Sequence, residues 1–134
     1  MRSTKIVTSF VTSQEKILIL KRSDKVKSMK GLWGAVSGII EVNEEPLHRA
    51  KIEIYEEIGV NPDSIQLIKA GKDMTVSSPQ YPDHQWHIFP FLFKMQGMQI
   101  SLNWENSSYK WIAPEQINEY RTVPNLDEVL FNLL

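Results

Sequence analysis

Three glutamates within five residues form the group in this sequence that is best suited to chemistry. Glu53, Glu56 and Glu57 are spaced i, i+3 and i+4, so on a helix their carboxylates would lie on one side. Carboxylates this close repel one another. A bound Mg²⁺ would offset the repulsion, because this hard cation prefers oxygen ligands and tolerates a partly hydrated site. The alternative is a solvated acidic face with Arg49 and Lys51 as intrahelical partners.

The segment that carries these glutamates has the pattern of an amphipathic helix over residues 46–58. Pro46 is tolerated at a helix start, and Gly59 favours a left-handed stop. An apolar stripe at spacings of three and four is offset from the acidic side and comprises Leu47, Ala50, Ile54 and Ile58. We expect the stripe to pack on a sheet and the glutamates to face an opening.

The remaining elements predict a sheet with few helices. Strands are expected at 5–12, 16–22, 32–37, 39–41, 65–74, 86–95 and 109–112, the first two as a hairpin. A loop is expected at 77–83. One further helix is predicted from Pro114 to about Tyr120, and another over 126–134. Without a regular βαβ repeat, this order indicates an α/β domain with a central mixed β-sheet.

Composition limits the class of protein. A chain of 134 residues fits one domain, taken as 1–134. The formal net charge of −1 argues against a nucleic-acid partner, and the absence of cysteine excludes a disulfide scaffold and Cys-ligated metals. No signal peptide or membrane-length apolar run is evident, so a cytoplasmic protein without a membrane partner is expected. Monomer and homodimer both stay open.

Residues 38–60 resemble the Nudix box, whose pattern is G-x5-E-x7-R-E-U-x-E-E-x-G-U with U a bulky aliphatic residue. Eight of the nine fixed positions match: Gly38, Glu44, Glu53, Ile54, Glu56, Glu57, Gly59 and Val60. The ninth is Ile52, which stands where the family has an arginine that orients the glutamates. Isoleucine can neither pair with a carboxylate nor donate a hydrogen bond. Either Arg49, one turn before Glu53, takes over part of that role, or the site is weakened.

The resemblance implies a Nudix-type α/β/α sandwich and an activity. Nudix enzymes hydrolyse the diphosphate linkage of nucleoside diphosphate derivatives with Mg²⁺, for which Mn²⁺ can substitute. The small-molecule substrate would be an NTP or dNTP, a nucleotide sugar or a dinucleoside polyphosphate, and the sequence does not select among them. The alternative, kept open by Ile52, is a non-catalytic Nudix-fold module that binds a nucleotide or a protein.

The resemblance also assigns candidate residues. Metal ligands would be Glu53, Glu56, Glu57 and the carbonyl of Gly38, with Glu44 and Arg49 as support. Glu105 is the candidate general base, or else an ordinary loop carboxylate. Arg22 is the candidate phosphate contact, or else a plain cation at a strand end, and Lys30 is a weaker option. Glu41 would reach the ion through water, and Tyr81 is the candidate stacking aromatic. Further aromatics are more often core than ligand contacts: Trp33, Trp86, Phe89 and Trp111.

Overall fold

The computed structural model describes residues 2–79 and 81–134. Met1, within the predicted domain 1–134, and Gln80, within the predicted loop 77–83, lie outside the described residues. None of the described helices is both long and apolar enough to cross a membrane.

The chain begins with the predicted hairpin. Strand β1 (Arg2–Ser13) turns directly into β2 (Lys16–Arg22), and Thr12 pairs with Ile17. The two connecting residues, Gln14 and Glu15, have φ values of 53° and 66°. Positive φ at both positions is the signature of a type I′ turn, whose twist matches that of the flanking strands.

Six more strands and two α-helices follow. In chain order the strands are β3 (Trp33–Gly34), β4 (Val36–Ile39), β5 (Ile65–Ala70), β6 (Met74–Ser78), β7 (Tyr81–Met95) and β8 (Asn106–Ile112). The α-helices are α1 (Pro46–Ile58) and α2 (Leu126–Leu133), and short 3-10 helices span Pro62–Ser64 and Pro114–Glu119. The predicted helix from Pro114 is therefore of the tighter 3-10 type.

The strands form one mixed sheet. Its central path runs β3-β2-β1-β7-β5, with β4 paired to β1, β6 to β7 and β8 to β2. Only the β1–β7 pairing is parallel among the described strands, and it aligns Ile6 with Ile88. Each face of the sheet carries its own apolar core. Ile54 and Ile58 of α1 pack on one face with Val7, and α2 packs on the other, which confirms the α/β/α sandwich.

A split in this sheet positions the candidate site. Strands β1 and β2 pair only next to their turn, at Thr12 and Ser13. Farther along, β4 takes the freed edge of β1 from Ile6 to Ser9, while β3 pairs with β2. The segment from β3 to β4 therefore crosses from one strand to the other and approaches α1 at the split.

Two sequence predictions fail beyond this split. The strand predicted over 65–74 is divided into β5 and β6, and the loop predicted over 77–83 is largely the β6–β7 hairpin, in which Ser78 pairs with Tyr81. The prolines at 79 and 82 suggested a loop. Pro82 is tolerated in β7 because pairing with β1 begins only at His84, so its missing N–H removes no bond from that ladder.

Candidate active site

Helix α1 begins and ends where the sequence predicts. Pro46 occupies its first turn, and Gly59 closes it with a φ of 71° and an N–H that donates to the Tyr55 carbonyl. Its glutamates separate into two groups: Glu53 and Glu57 are buried, at 8% and 3% exposure, whereas Glu56 faces solvent. The box spacing therefore brings two of its three carboxyl groups together beneath the helix.

Glu57 is held from two sides. The backbone N–H of Ser37 in β4 donates to its Oε2, and Nδ2 of Asn106 at the start of β8 donates to its Oε1, each at 3.3 Å. Burial raises the pKa of Glu57 well above its usual value, and the nearby charges of Glu105 and Glu53 raise it further. Without a cation, this geometry favours a proton on Glu57.

Glu53 lies against both Glu57 and Arg49. Burial raises its pKa, while the hydrogen bonds from Arg49 and from the Glu57 carboxyl lower it. The Arg49 contact runs from Nη1 to Oε2 over 3.0 Å. The two buried carboxyls thus influence each other's pKa, with the arginine on the Glu53 side.

Arg49 also binds Glu44 through two parallel hydrogen bonds, Nε to Oε1 at 2.8 Å and Nη2 to Oε2 at 2.9 Å. These bonds lower the pKa of Glu44 and raise that of Arg49. Glu44 in turn accepts the Glu41 backbone N–H. The arginine therefore ties the loop before α1 to the buried pair, and it does so from a position one turn earlier than Ile52, which is half-buried.

Gly38 in β4 allows the sheet to approach Glu53. A Cβ atom at this position would overlap the Glu53 side chain at its carboxyl end. No residue other than glycine fits without displacing that carboxyl group. Steric exclusion therefore explains why this chain has glycine at the first position of the box.

The donor set fits a hard divalent cation in part. Two buried carboxyls with raised pKa values offer oxygen ligands and would be stabilised as anions by a cation. Within residues 2–79 and 81–134, however, no three or more Asp, Glu, His or Cys side chains are already grouped to hold a metal. For a cation to bind, further oxygens would have to come from Glu56 after a rotamer change, from backbone, from substrate or from water.

Glu105 lies close enough to raise the pKa of Glu57 by its charge. Its loop is fastened to the end of β2: the Ser23 N–H donates to the Glu105 carbonyl at 2.8 Å, and the Ser23 hydroxyl donates to the Trp104 carbonyl at 2.7 Å. Asn103 caps the turn by accepting the Glu105 N–H. The candidate base is thus held by backbone contacts at the edge of the site.

A cavity of about 240 Å³ opens beside Glu57, between the sheet and α2. Polar groups line part of it, among them Glu57, Arg22, Ser37 and Asn106. The rest is mainly apolar and includes Trp86, Ile88, Leu126 and Val129. A pocket that combines a few polar groups with apolar and aromatic walls is typical of a small-molecule site.

Of the three predicted substrate contacts, Arg22 lines this cavity, and Glu41 and Tyr81 are not among its lining residues. Arg22 lines it, although its guanidinium donates to the Ser28 carbonyl from Nε and Nη2. Tyr81 packs edge-on against Trp86 with ring centroids 5.7 Å apart. Glu41 is exposed and contributes its backbone N–H to Glu44.

The sequence did not identify Asn106 as a residue of the site, and it favoured a core position for Trp86 over a ligand contact. The one available signal for Asn106 was its place directly after Glu105, at the start of a strand where asparagine is disfavoured. For Trp86, the alternation along β7 puts it on the α2 face together with Ile88, but sequence alone does not reveal that a cavity opens there.

The chain belongs to the NUDIX domain family, whose model matches residues 3–133. It is 30% identical over 103 residues to the RNA pyrophosphohydrolase of Bartonella quintana (strain Toulouse), covering 75% of this chain and 51% of that protein. For the RNA pyrophosphohydrolase of Bartonella henselae the identity is 32% over 81 residues, covering 60% and 39%. The chain thus spans about half the length, or less, of these curated relatives.

Solved structures share the fold. The E. coli dihydroneopterin triphosphate pyrophosphohydrolase matches with a TM-score of 0.78 at 16% identity, covering 97% of this chain and 95% of that one. A C. elegans Ap4A hydrolase matches with a TM-score of 0.75 at 13% identity, covering 98% and 94%. At such identities the likeness establishes the architecture alone.

Proposed function

We propose that this protein is a divalent-cation-dependent pyrophosphohydrolase that cleaves the diphosphate linkage of a nucleotide derivative. The observation that carries the proposal is the buried Glu53–Glu57 pair at the edge of a cavity with apolar and aromatic walls. In a NUDIX domain such a pair is suited to the phosphate end of a nucleotide, and the aromatic wall to its base. We also propose that residues 1–134 form one such domain.

Mg²⁺ is the proposed cation, with Mn²⁺ as a substitute. Glu53, Glu57, the Gly38 carbonyl and a rotated Glu56 would hold it. When bound, the cation would neutralise charge on the phosphate oxygens and lower the pKa of an attacking water. Glu57 must give up its proton for this, which Ser37 and Asn106 assist by donating hydrogen bonds to both of its oxygens.

The other side chains would position groups or move protons. Arg49 orients Glu53, and Glu44 fixes Arg49 in turn. Glu105 would accept the proton of the attacking water as general base. Arg22 would contact phosphate, Glu41 would reach the ion through water, and Tyr81 would buttress the stacking face of Trp86.

The cavity favours a substrate with one buried base. Its volume of about 240 Å³ lies below the usual range of about 300–1,000 Å³ for drug-sized ligands. An NTP or dNTP is the leading candidate, and a nucleotide sugar or a dinucleoside polyphosphate would extend beyond the cavity. The relatives' name, RNA pyrophosphohydrolase, adds RNA that carries a pyrophosphate group as a further candidate.

The test is a screen of nucleotide derivatives with Mg²⁺ or Mn²⁺, with released phosphate and pyrophosphate as the readout. Glu57→Gln is the control variant, because it keeps the size of the side chain and removes its charge. We expect turnover in the wild type and a loss of about 100-fold or more in the variant. Wild-type turnover in Glu57→Gln would contradict the ligand assignment.

The second candidate is a non-catalytic binding module. The outward position of Glu56 favours it, since a cation would then have only two carboxyl ligands from the helix. Nucleotide binding by the wild type without turnover, under either cation, would support this module over the enzyme.

A further inference from the structure

The segment after β2 concentrates positive charge. Residues 21–31 contain five of the chain's 15 lysines and arginines against a single acid, Asp24. The whole chain has a net charge of −1, so the average conceals a strongly basic stretch. We call residues 23–31 the basic loop.

The basic loop has a defined backbone. The Arg22 guanidinium donates to the Ser28 carbonyl at 3.1 and 3.2 Å. These bonds connect the residue before the loop to the middle of the loop. The Gly31 N–H donates to the Arg22 carbonyl at 2.9 Å, and Val26 is buried. Arg22 therefore orders the loop with part of its guanidinium, and the exposed lysines of the loop are available to meet a ligand.

Two of those lysines are chain neighbours of residues that line the cavity. Ser28 and Met29 line it, and Lys27 and Lys30 adjoin them in the chain. Lys25, Lys27 and Lys30 are all exposed. In the described part of the chain the ion pairs involve only Arg49 and His87 as cations, so no lysine there is neutralised by a carboxylate.

A buried carboxyl group and part of the basic loop thus border the same cavity. Glu57 lines the cavity that Ser28 and Met29 also line. A diphosphate bound at the carboxyl pair, through a cation, would have its charge largely neutralised there. Unpaired cations on the basic loop would attract additional anionic groups of the same molecule, because charges of one sign near a cleft raise the local concentration of opposite charge.

We propose that the basic loop binds phosphate groups of the substrate other than the diphosphate that is cleaved, a role that rests on the proposed function. The phosphates have two possible sources: the remainder of a nucleoside polyphosphate, or the phosphodiester backbone of an oligonucleotide that carries a 5′-triphosphate. Both present the same chemistry to the lysines, and the experiment separates them.

The test compares two triple variants with equal loss of charge. The loop variant is Lys25→Gln/Lys27→Gln/Lys30→Gln. The control is Lys69→Gln/Lys72→Gln/Lys94→Gln, whose lysines are exposed on β5, after β5 and on β7, towards the opposite edge of the sheet. KM and kcat are measured for a nucleoside triphosphate and for a 5′-triphosphorylated oligonucleotide, at low and high salt.

We expect KM to rise about tenfold in the loop variant relative to the control, with kcat unchanged. A similar rise for both substrates identifies the nucleotide's own phosphates. A rise confined to the oligonucleotide, with a flatter salt dependence of its KM, identifies the backbone. Equal KM values in the loop variant and the control for both substrates would overturn the proposal.

Inorganic tripolyphosphate separates this proposal from the proposed function. If the wild type turns over neither substrate, the proposed function fails, and calorimetric binding of tripolyphosphate then tests the loop alone. Weaker binding of tripolyphosphate to the loop variant than to the control supports phosphate binding by the basic loop. Equal binding, or none to the wild type, overturns it.

Discussion

Arg49 donates a hydrogen bond to Glu53 over 3.0 Å, one turn along the same helix. The rest of its guanidinium is bound to Glu44. A guanidinium group that is already bound to one carboxylate loses little further freedom when it orients a second one. Arg49 therefore has the contacts that an orienting arginine needs, although the family places that arginine at position 52.

Replacing Arg49 should weaken catalysis more than folding. In Arg49→Ala we expect kcat/KM to fall about 10- to 100-fold, because Glu53 loses the group that orients it. Steady-state kinetics across a range of Mg²⁺ concentrations measures the fall, and thermal unfolding checks that the fold persists.

Ile52→Arg provides the matching gain-of-function test. In the wild-type background we expect little change, since Arg49 already orients Glu53. In the Arg49→Ala background it should recover part of the lost kcat/KM. A large gain from Ile52→Arg alone would instead mean that the native carboxyl pair is poorly oriented.

Gly38→Ala should displace the Glu53 carboxyl group. The added Cβ overlaps the end of that side chain, so the cost to stability is about 1–3 kcal/mol, while activity falls sharply. The control is Gly34→Ala, whose Cβ would meet only the Val123 side chain at 3.8 Å. Kinetics and thermal unfolding of both variants are the measurements. Equal activity in the two would show that Glu53 can move without loss.

The stability of the metal-free protein should depend on Glu57. Its pKa is raised in the folded state from an ordinary value of 4.5, so its protonated form stabilises the fold. That contribution is complete below the ordinary value and is lost as pH rises through the higher folded-state pKa. Glu44 has a lowered pKa and acts in the opposite direction, but its contribution is already complete above 4.5.

Thermal unfolding in chelator at several pH values above 4.5 measures this effect. We expect the wild type to lose stability as pH rises and Glu57→Gln to lose less. Added Mg²⁺ should restore the wild type at the higher pH values, because the cation takes the place of the proton. Parallel pH profiles of the two proteins would contradict a raised Glu57 pKa.

Asn106 should matter through the hydrogen bond it donates to Glu57. Asn106→Leu keeps a similar size and removes the donor, and we expect kcat to fall about tenfold or more with little change in KM. Asn106→Asp should be worse, because it adds a negative charge beside Glu57. The neighbouring Ser107→Ala is the control, since that side chain is exposed. An active Asn106→Asp would exclude this positioning role.

The sequence predicted what depends on local pattern. The bounds of α1 follow from Pro46, the apolar stripe and Gly59, which all act within one helix. The first hairpin follows from two aliphatic runs and a short polar turn. These signals lie within a few residues of one another, so no long-range contact is needed to interpret them.

What the sequence could not predict depends on contacts between distant residues. The burial of Glu57 but not Glu56 depends on where β4 and Asn106 approach the helix. The cavity beside Trp86 depends on how α2 packs on the sheet. The sequence allowed Arg49 to replace the family's arginine at position 52 without deciding whether it does. Only the structure shows that Arg49 contacts Glu44 and Glu53.

The parallel pairing of β1 with β7 bears on how the protein is made. The first strand of the chain finds its partner only between His84 and Lys94. During translation, β1 must therefore wait until the residues of β7 have left the ribosome, and contacts this distant are slow to form. A nascent chain that stalls before β7 exposes an unpaired strand edge, so aggregation is a greater risk during synthesis than in the finished protein.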